Sequence, residues 1–484
     1  MKIYLLNPPF KPNFVRCGRW QGASARSGGL DYPKFLAYTT GLLETEFNDV
    51  KLVDAVAEKW SRDDVVKDVS ECRPDLIVVD TNFSSLSNDI EVASLLKNNT
   101  DRTTVLVGPP TSQYPDKILE NAGVDAVARY EYDFTIKEIA QTLEDNHNFK
   151  NVKGISYKKD GKTIHNPDRP FTTSEELDSI PFVSKVYKKH LNIKNYFLSQ
   201  SLYPEIQILT GRGCPNLCTF CSWPKTLTGR KYRSRSPDTI VEEFEWIKKN
   251  LPEVKEIFIE DDTFTINKKV VRNVCEELIK RKIKKTWSCN ARADLDYETM
   301  SIMKKAGCRL IIVGYESGND TILSNIKKAV TKNKLFEFSK QAKKARLQLH
   351  ADFIIGLPGE TKRTIQETKD FIHAVKPNIL QIAIASPIPG TNFYDYVSKN
   401  NFLMEKDSEQ SIDENGFQKC IIEYPELSSE EITKSVDEIL RNYYLNPSFV
   451  PTALKNCLMG DGINELKIMI RSGKDFLKYS NRGN

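Results

Sequence analysis

The sequence predicts an α/β protein with two parallel sheets in succession and a small α-rich cap. Two observations predict the sheets: short apolar runs alternate with helical stretches from Met1 to about Leu143, and the alternation resumes from about Leu202 to Asn400. Strands that alternate with helices form parallel sheets, because each crossover spends its length on a helix. A third observation separates the two blocks: residues 144–201 are polar and broken by Pro167, Pro170 and Pro181.

In the first block (1–143) the strand candidates are Ile3–Leu6, Val50–Val53, Leu76–Val79, Thr104–Val107 and Val124–Val127, with helices at Tyr38–Glu46 and Asn88–Lys97. This is a Rossmann-like, doubly wound pattern, and such sheets bind ligands outside the carboxyl ends of their strands. Those ends carry Asn7-Pro8-Pro9, Asp54, Asp80-Thr81-Asn82 and Gly108-Pro109-Pro110-Thr111. The strap (144–201) contains one hairpin turn, Lys158-Lys159-Asp160-Gly161-Lys162.

The second block (202–400) offers six strands: Ile206–Leu209, Glu256–Glu260, Thr286–Cys289, Leu310–Gly314, Ala351–Ile355 and Ile379–Ala385. Six βα units make a partial (β/α)6 barrel with its active site at the carboxyl ends. Ser236-Pro237-Asp238 opens one of its helices, with a capping hydroxyl followed by Pro at the first helical position. The cap (401–484) should hold a strand at Cys420–Glu423, a helix at Glu430–Tyr444, and a basic amphipathic tail with Leu454, Leu458, Leu466 and Ile470 beside Lys467 and Arg471. That tail reads as a cover over the barrel mouth, or as a surface that rests on a membrane.

With 39% hydrophobic and 28% charged residues, and no apolar run near the ~18 residues of a membrane span, the composition is that of a globular protein. Met1 to Pro9 reads as a short strand and not a signal peptide, so a cytoplasmic location is expected. A net charge of +5 without a basic, aromatic-studded stripe gives no support for nucleic-acid binding. Of ten cysteines, Cys72, Cys275, Cys289, Cys308 and Cys457 stand singly among apolar residues, as small buried hydrophobes do.

The chemistry is concentrated in Thr210-Gly211-Arg212-Gly213-Cys214-Pro215-Asn216-Leu217-Cys218-Thr219-Phe220-Cys221, which places three thiols close together and no fourth. Structural zinc takes four protein ligands, whereas a [4Fe–4S] cube on three thiolates keeps one iron open. A zinc site completed by a distant His is the blander alternative. The spacing, with an aromatic before the last cysteine, resembles the radical S-adenosylmethionine (SAM) superfamily. That resemblance implies Cys214, Cys218 and Cys221 as cluster ligands, SAM on the open iron, an external electron donor, and a 5′-deoxyadenosyl radical that abstracts hydrogen from carbon.

SAM has to be held at several strand ends at once, and the barrel block supplies polar groups there. Glu260-Asp261-Asp262 follow the second strand, where the superfamily often binds the SAM ammonium group. Glu316 and Ser317 lie in Gly314-Tyr315-Glu316-Ser317-Gly318 after the fourth, suited to ribose hydroxyls or the ammonium. Gly356 lies in Ile355-Gly356-Leu357-Pro358-Gly359-Glu360, whose edge meets the adenine, and Phe220 beside the cluster contacts the same ring. Arg292 after the third strand suits the SAM carboxylate or the substrate, or pairs structurally with Asp294 or Asp296. His350, ahead of an apolar strand, reads as a packed core histidine.

The first block in outline resembles the cobalamin-binding domain that precedes many radical SAM cores. Two departures leave cobalamin open: no Asp-x-His-x-x-Gly supplies a cobalt ligand, and Pro109-Pro110 removes backbone donors where a glycine-rich turn would approach the cofactor. More narrowly, Val186-Tyr187-Lys188-Lys189, Cys221-Ser222-Trp223-Pro224-Lys225-Thr226, Trp287-Ser288-Cys289-Asn290-Ala291-Arg292 and Ile354-Ile355-Gly356-Leu357-Pro358-Gly359-Glu360-Thr361 resemble the bacteriohopanetetrol cyclitol ether synthases and the related calditol synthases. That resemblance implies radical remodelling of a sugar headgroup on a membrane lipid into a cyclopentane polyol, with peripheral membrane contact. Departures around Arg16-Cys17-Gly18-Arg19-Trp20 and at Ser222 favour the calditol, tetraether-lipid branch. The rival readings are a cobalamin-dependent radical SAM methyltransferase and, from another class, a non-enzymatic cluster or cobalamin sensor.

Overall fold

The structure is a computed structural model, and it describes every residue except 20, 146–147, 406, 452–461, 463, 465, 468–469, 472 and 475–484. Its first sheet has seven strands: β1 (Lys2–Asn7), β2 (Asp49–Asp54), β3 (Leu76–Asp80), β4 (Thr103–Val107), β5 (Ala126–Ala128), β6 (Ile155–Lys159) and β7 (Lys162–His165). Their order is β2-β1-β3-β4-β5-β6-β7, parallel through β5 and antiparallel for the β6–β7 hairpin. The predicted hairpin turn at 158–162 therefore joins two strands that extend the first sheet beyond Leu143.

The second sheet is wholly parallel and in chain order: β8 (Glu205–Ile208), β9 (Glu256–Ile259), β10 (Thr286–Ala291), β11 (Cys308–Glu316), β12 (Gln348–Ile355) and β13 (Ile379–Ile384). Six parallel strands in sequential order make an open barrel, so the predicted α/β class and partial barrel are what the chain forms.

Each sheet owes its position to which face is apolar. Tyr4, Leu6, Ile77, Val79 and Leu106 pack outward against α2 (Arg62–Cys72) and α3 (Leu86–Thr100). Leu5, Val78, Val105 and Val107 face a second, larger core that continues without a break into Ile206, Ile257, Trp287 and Leu349 of the barrel. Between the two sheets lies α1 (Lys34–Leu43), every residue of which is buried. A helix buried on every side, with its few polar groups such as Lys34 and Thr39 paired internally, shows no solvent-facing stripe, which explains why the sequence expectation of Tyr38–Glu46 started too late. Full burial of each Leu, Ile or Phe here contributes about 1.5–3 kcal/mol, so the two sheets share one cohesive core.

Buried ion pairs tie the blocks together at named points. Arg212 donates to Asp133 (2.5 Å) and Arg233 donates to Glu131 (2.7 Å), each reaching from the barrel block to the first domain. In the cap, α9 (Ser429–Tyr444) matches the expected helix, opened by a Ser428/Glu431 capping box. The strand expected at Cys420–Glu423 is not formed. Residues there make one isolated bridge, Leu403 with Ile422, flanked by the Met404 N–H donating to the Ile421 carbonyl and the Glu423 N–H to the Phe402 carbonyl, a contact too short to extend into a strand. Leu466 and Ile470 of the tail are exposed, while Leu454 and Leu458 lie outside the described residues, as do Trp20 and Cys457. Among the described residues no helix is long and apolar enough to cross a membrane.

Candidate active site

The three-thiol loop is held by the strand that precedes it and the acids of the next strand. Gly211–Arg212 pairs antiparallel with Arg233–Ser234, closing the loop into a clasp. Gly213 turns it with φ 88°, and a Cβ there would meet the Lys231 carbonyl at 2.2 Å, so only glycine fits. Asp261 accepts from the Thr210 backbone N–H and from its hydroxyl, each at 2.6 Å. Asp262 accepts from the Gly213 N–H at 2.8 Å. Both carboxylates at the end of β9 therefore position the cluster loop. Asp261, expected as a cofactor contact, has both its oxygens committed to Thr210, and burial still pushes its carboxyl up to about 6.

On the loop, Cys218 and Phe220 are buried, and Cys214 and Cys221 are half-buried. All three thiols are free, and the Asn216 amide donates to Cys214 Sγ at 3.2 Å. The Thr219 N–H donates to the carbonyl of Ile326, so the loop is pinned to the segment after β11. Among the described residues no three His, Cys, Asp or Glu groups converge on a single ion. A four-iron cube takes one thiolate per iron, so three free thiols on one eight-residue loop suit it and leave one iron open.

Opposite the loop, Glu316 ends β11 in the left-handed region, φ 64°. Such a conformation is costly for a non-glycine residue and is held where the surroundings demand it. Its carboxylate lies back over Gly314, where a Cβ would come within 2.1 Å of Glu316 Oε1. Lys328 Nζ donates to Glu316 Oε1 at 2.6 Å, while Oε2 has no partner. Burial raises the Glu316 carboxyl and Lys328 opposes the rise. Lys328 was not foreseen; it follows the short helix Asp320–Asn325 and carries no motif around it.

The other expected contacts divide. Arg292 donates to the Lys328 carbonyl at 2.9 Å and sits 3.9 Å from exposed Asp294, so it braces the Lys328 loop and its ion pair is loose; Asp296 pairs with Arg272 instead. Ser317 is fully buried, with its hydroxyl 3.3 Å from Thr368 of α8 (Lys362–Val375) and accepting from the Asn319 N–H. It shapes the turn after Glu316. Gly356 has φ 97°, its carbonyl accepts from Tyr424 at 2.8 Å, and Ile422 and Ile432 of the cap pack over it. Glu260 faces Lys34 of α1 at 2.7 Å, and burial pushes its carboxyl up to about 7 against that pull.

The first domain reaches this site through a loop the motifs did not flag. The Arg19 guanidinium donates to the carbonyls of Asp261 (2.5 Å) and Asp262 (2.8 Å) and stacks over Trp223. Beside it, a cleft with about 10 Å3 of free volume lies between the active ends of both sheets. Asn82, Phe83, Ser84 and Pro109 line it from the first sheet, Ser222 and Pro387 from the barrel, and Ser411 from the cap. Ser222 directly follows Cys221, so the cavity abuts the cluster loop. Asp80, at the edge of this region, is buried and pushed up to about 7.

A parallel half-barrel, a three-thiol loop after its first strand and acids at its strand ends define a cluster-bearing radical enzyme. Residues 208–372 match the profile of the radical SAM superfamily, and a radical SAM core implies a [4Fe–4S] cluster and SAM. An uncharacterized methyltransferase of Pyrococcus horikoshii is 29% identical over 92% of this chain and 93% of its own length. An anaerobic magnesium-protoporphyrin IX monomethyl ester cyclase of Rubrivivax gelatinosus is 26% identical over 88% of this chain and 76% of its own. Among solved structures, the radical SAM methyltransferase TsrM from Kitasatospora setae, with cobalamin and a [4Fe–4S] cluster bound, superposes with a TM-score of 0.71 at 16% identity, covering 98% of this chain and 100% of that one.

Proposed function

We propose that the protein is a cobalamin-dependent radical SAM methyltransferase. The observation that carries this is the cavity between the active ends of the two sheets, one residue from the cluster loop. A relative similar over nearly the whole chain is named a methyltransferase, which favours this reading over remodelling of a lipid headgroup. The calditol-type carbocycle and its lipid partner find no support among these relatives, and the methyltransferase alternative moves ahead.

Bound at this site, the cluster and SAM supply one-electron chemistry able to activate an unreactive C–H bond. The chain's own part is to hold and shield. Cys214, Cys218 and Cys221 would bind three irons, Lys328 and Glu316 would present a cation and a half-free carboxylate to the amino-acid end of SAM, and buried Phe220 would keep water from the loop. Lys34 and Arg19 lock the first domain over the strand ends, so the site forms only when both domains are docked.

The cavity suits cobalamin in position but not in size. With about 10 Å3 of free volume it has room for about one water, far below the ~300–1,000 Å3 filled by drug-sized ligands, and a corrin with its nucleotide tail is larger than those. Binding therefore requires the lining residues Gly18, Gln21, Ser408 and Ser411 to draw back. Among the described residues no histidine lines the cavity.

The test is anaerobic reconstitution with iron, sulfide and hydroxocobalamin, followed by gel filtration and spectroscopy. Stoichiometric retention of cobalamin, together with SAM-dependent addition of one methylene to a host metabolite, is expected. A protein that turns over fully without cobalamin overturns the proposal. Cys214→Ala should lose the cluster absorbance and all SAM cleavage.

A further inference from the structure

The lumen of the half-barrel, below the site just described, carries a wall of buried polar groups with nothing to bind. Residues alternate along a strand, so one face of each barrel strand turns inward. The hydrogen-bonded register sets Gln207 beside Phe258, Phe258 beside Ser288, and Ser288 beside Leu310. One rung higher, Asn290 lies beside Ile312 and Ile312 beside His350; Asp352 lies beside Gly314, over which the Glu316 carboxylate rests.

Within this lumen Gln207 Oε1, Ser288 Oγ, both ring nitrogens of His350 and Asp352 Oδ1 are buried and lack a hydrogen-bond partner. His350 Nε2 is 3.0 Å from Asp352 Oδ1, close but off the line that a hydrogen bond needs. Leaving a buried polar group unpaired is costly, and native proteins rarely tolerate several together without a use for them. Interleaved with these polar groups on the neighbouring strands is an apolar cluster of Leu198, Phe258, Leu310 and Ile312.

The nearby cations are already engaged. Lys328 is paired with Glu316 at the mouth, and Arg309 closes the base by donating to Glu256 and Gln348. Among the described residues there is no open cation there, so an anionic group would meet Asp352 uncompensated.

We infer that His350, with Asp352, Ser288 and Gln207, is the substrate-recognition face of this enzyme, and that the substrate is an uncharged, hydroxyl-bearing molecule with an apolar flank. At a rise of about 3.3 Å per residue, His350 lies roughly 7 Å deeper in the lumen than Asp352, so a hydroxyl held by His350 leaves the neighbouring carbon toward the mouth, where Glu316 and the cluster loop meet. His350 is then a positioning residue, set by its own strand against Ile312. The inference rests on the radical SAM reading of the mouth.

The test uses the compound that accumulates when the gene is deleted in the native host, purified and supplied to anaerobically reconstituted enzyme. The readout is the ratio of product formed to 5′-deoxyadenosine released, for the wild type, His350→Phe and His350→Gln. Losing a substrate hydrogen bond should lower that ratio about tenfold or more in His350→Phe, with part of it recovered in His350→Gln, which keeps a donor and an acceptor. An unchanged ratio in His350→Phe overturns the inference, including the case where both quantities fall together. Equal impairment in His350→Gln also overturns it, because ring packing and not hydrogen bonding would then be at work. An accumulating compound that carries a phosphate or carboxylate overturns the substrate class. If precursor and product differ by something other than one methylene, the methyltransferase reading fails while the ratio still judges His350.

Discussion

Single residues at the barrel mouth are arranged around charges that cannot be left alone. Glu316 is buried, Lys328 is 12% exposed, and the two are 2.6 Å apart. Removing one partner of a buried pair leaves an uncompensated charge and costs about 3–5 kcal/mol, whereas replacing both is far milder. Lys328→Met should therefore lower the denaturation midpoint sharply, Glu316→Gln in the same background should restore much of it, and both variants should bind SAM weakly. Calorimetry and equilibrium dialysis check this; a double variant no more stable than Lys328→Met would refute the pairing. Glu316 was legible from its place after a glycine at a strand end, whereas Lys328 was not, because only the fold brings residue 328 back over Gly314.

At the scale of elements, the acids after β9 show how a motif can be found and its role misassigned. Glu260-Asp261-Asp262 stood out as a ligand cluster, yet two of the three clamp the thiol loop. Asp261→Ala frees the Thr210 N–H and hydroxyl and should destabilise by about 1–3 kcal/mol, with weaker iron retention although no thiol is changed; iron content after gel filtration measures it. The turn after β12 makes a pH prediction. Glu360 accepts from the N–H groups of Gly356 and Leu357 but is buried with Oε1 unpartnered, and burial pushes its carboxyl up to about 7. A carboxyl whose folded pKa exceeds its unfolded one binds its proton more tightly when folded. Its contribution is complete below about 4.5 and is lost as pH rises through 7. Between pH 5 and pH 8 the wild type should therefore lose melting temperature relative to Glu360→Gln; parallel profiles would refute this. β12 itself was placed from Ala351, three residues late, because Gln348, His350 and Asp352 give its inner face a polar reading, while strands buried on both faces normally read as continuous apolar runs.

For the whole molecule, one core runs from the first sheet through α1 into the barrel, and Arg212–Asp133, Arg233–Glu131 and Lys34–Glu260 cross the same boundary. Domains that share a core unfold together, so denaturant should give one transition by fluorescence and circular dichroism, and Asp133→Asn should shift the midpoint without splitting it. Two separated transitions would show that the blocks are independent.

The sequence by itself determined the class, the two successive sheets and the three-thiol motif, because periodicity and close spacing are local properties that survive in one dimension. It also marked the polar residues that gather at the barrel's strand ends. The tertiary structure decided which of those residues face a ligand and which clamp a loop, since that depends on contacts between positions far apart in the chain. It brought Arg19 and Lys34 from the first domain onto the barrel mouth and opened the cavity beside Ser222. It also turned His350 from an expected core residue into a polar group facing the lumen, because burial is visible in composition while the absence of a partner exists only in three dimensions.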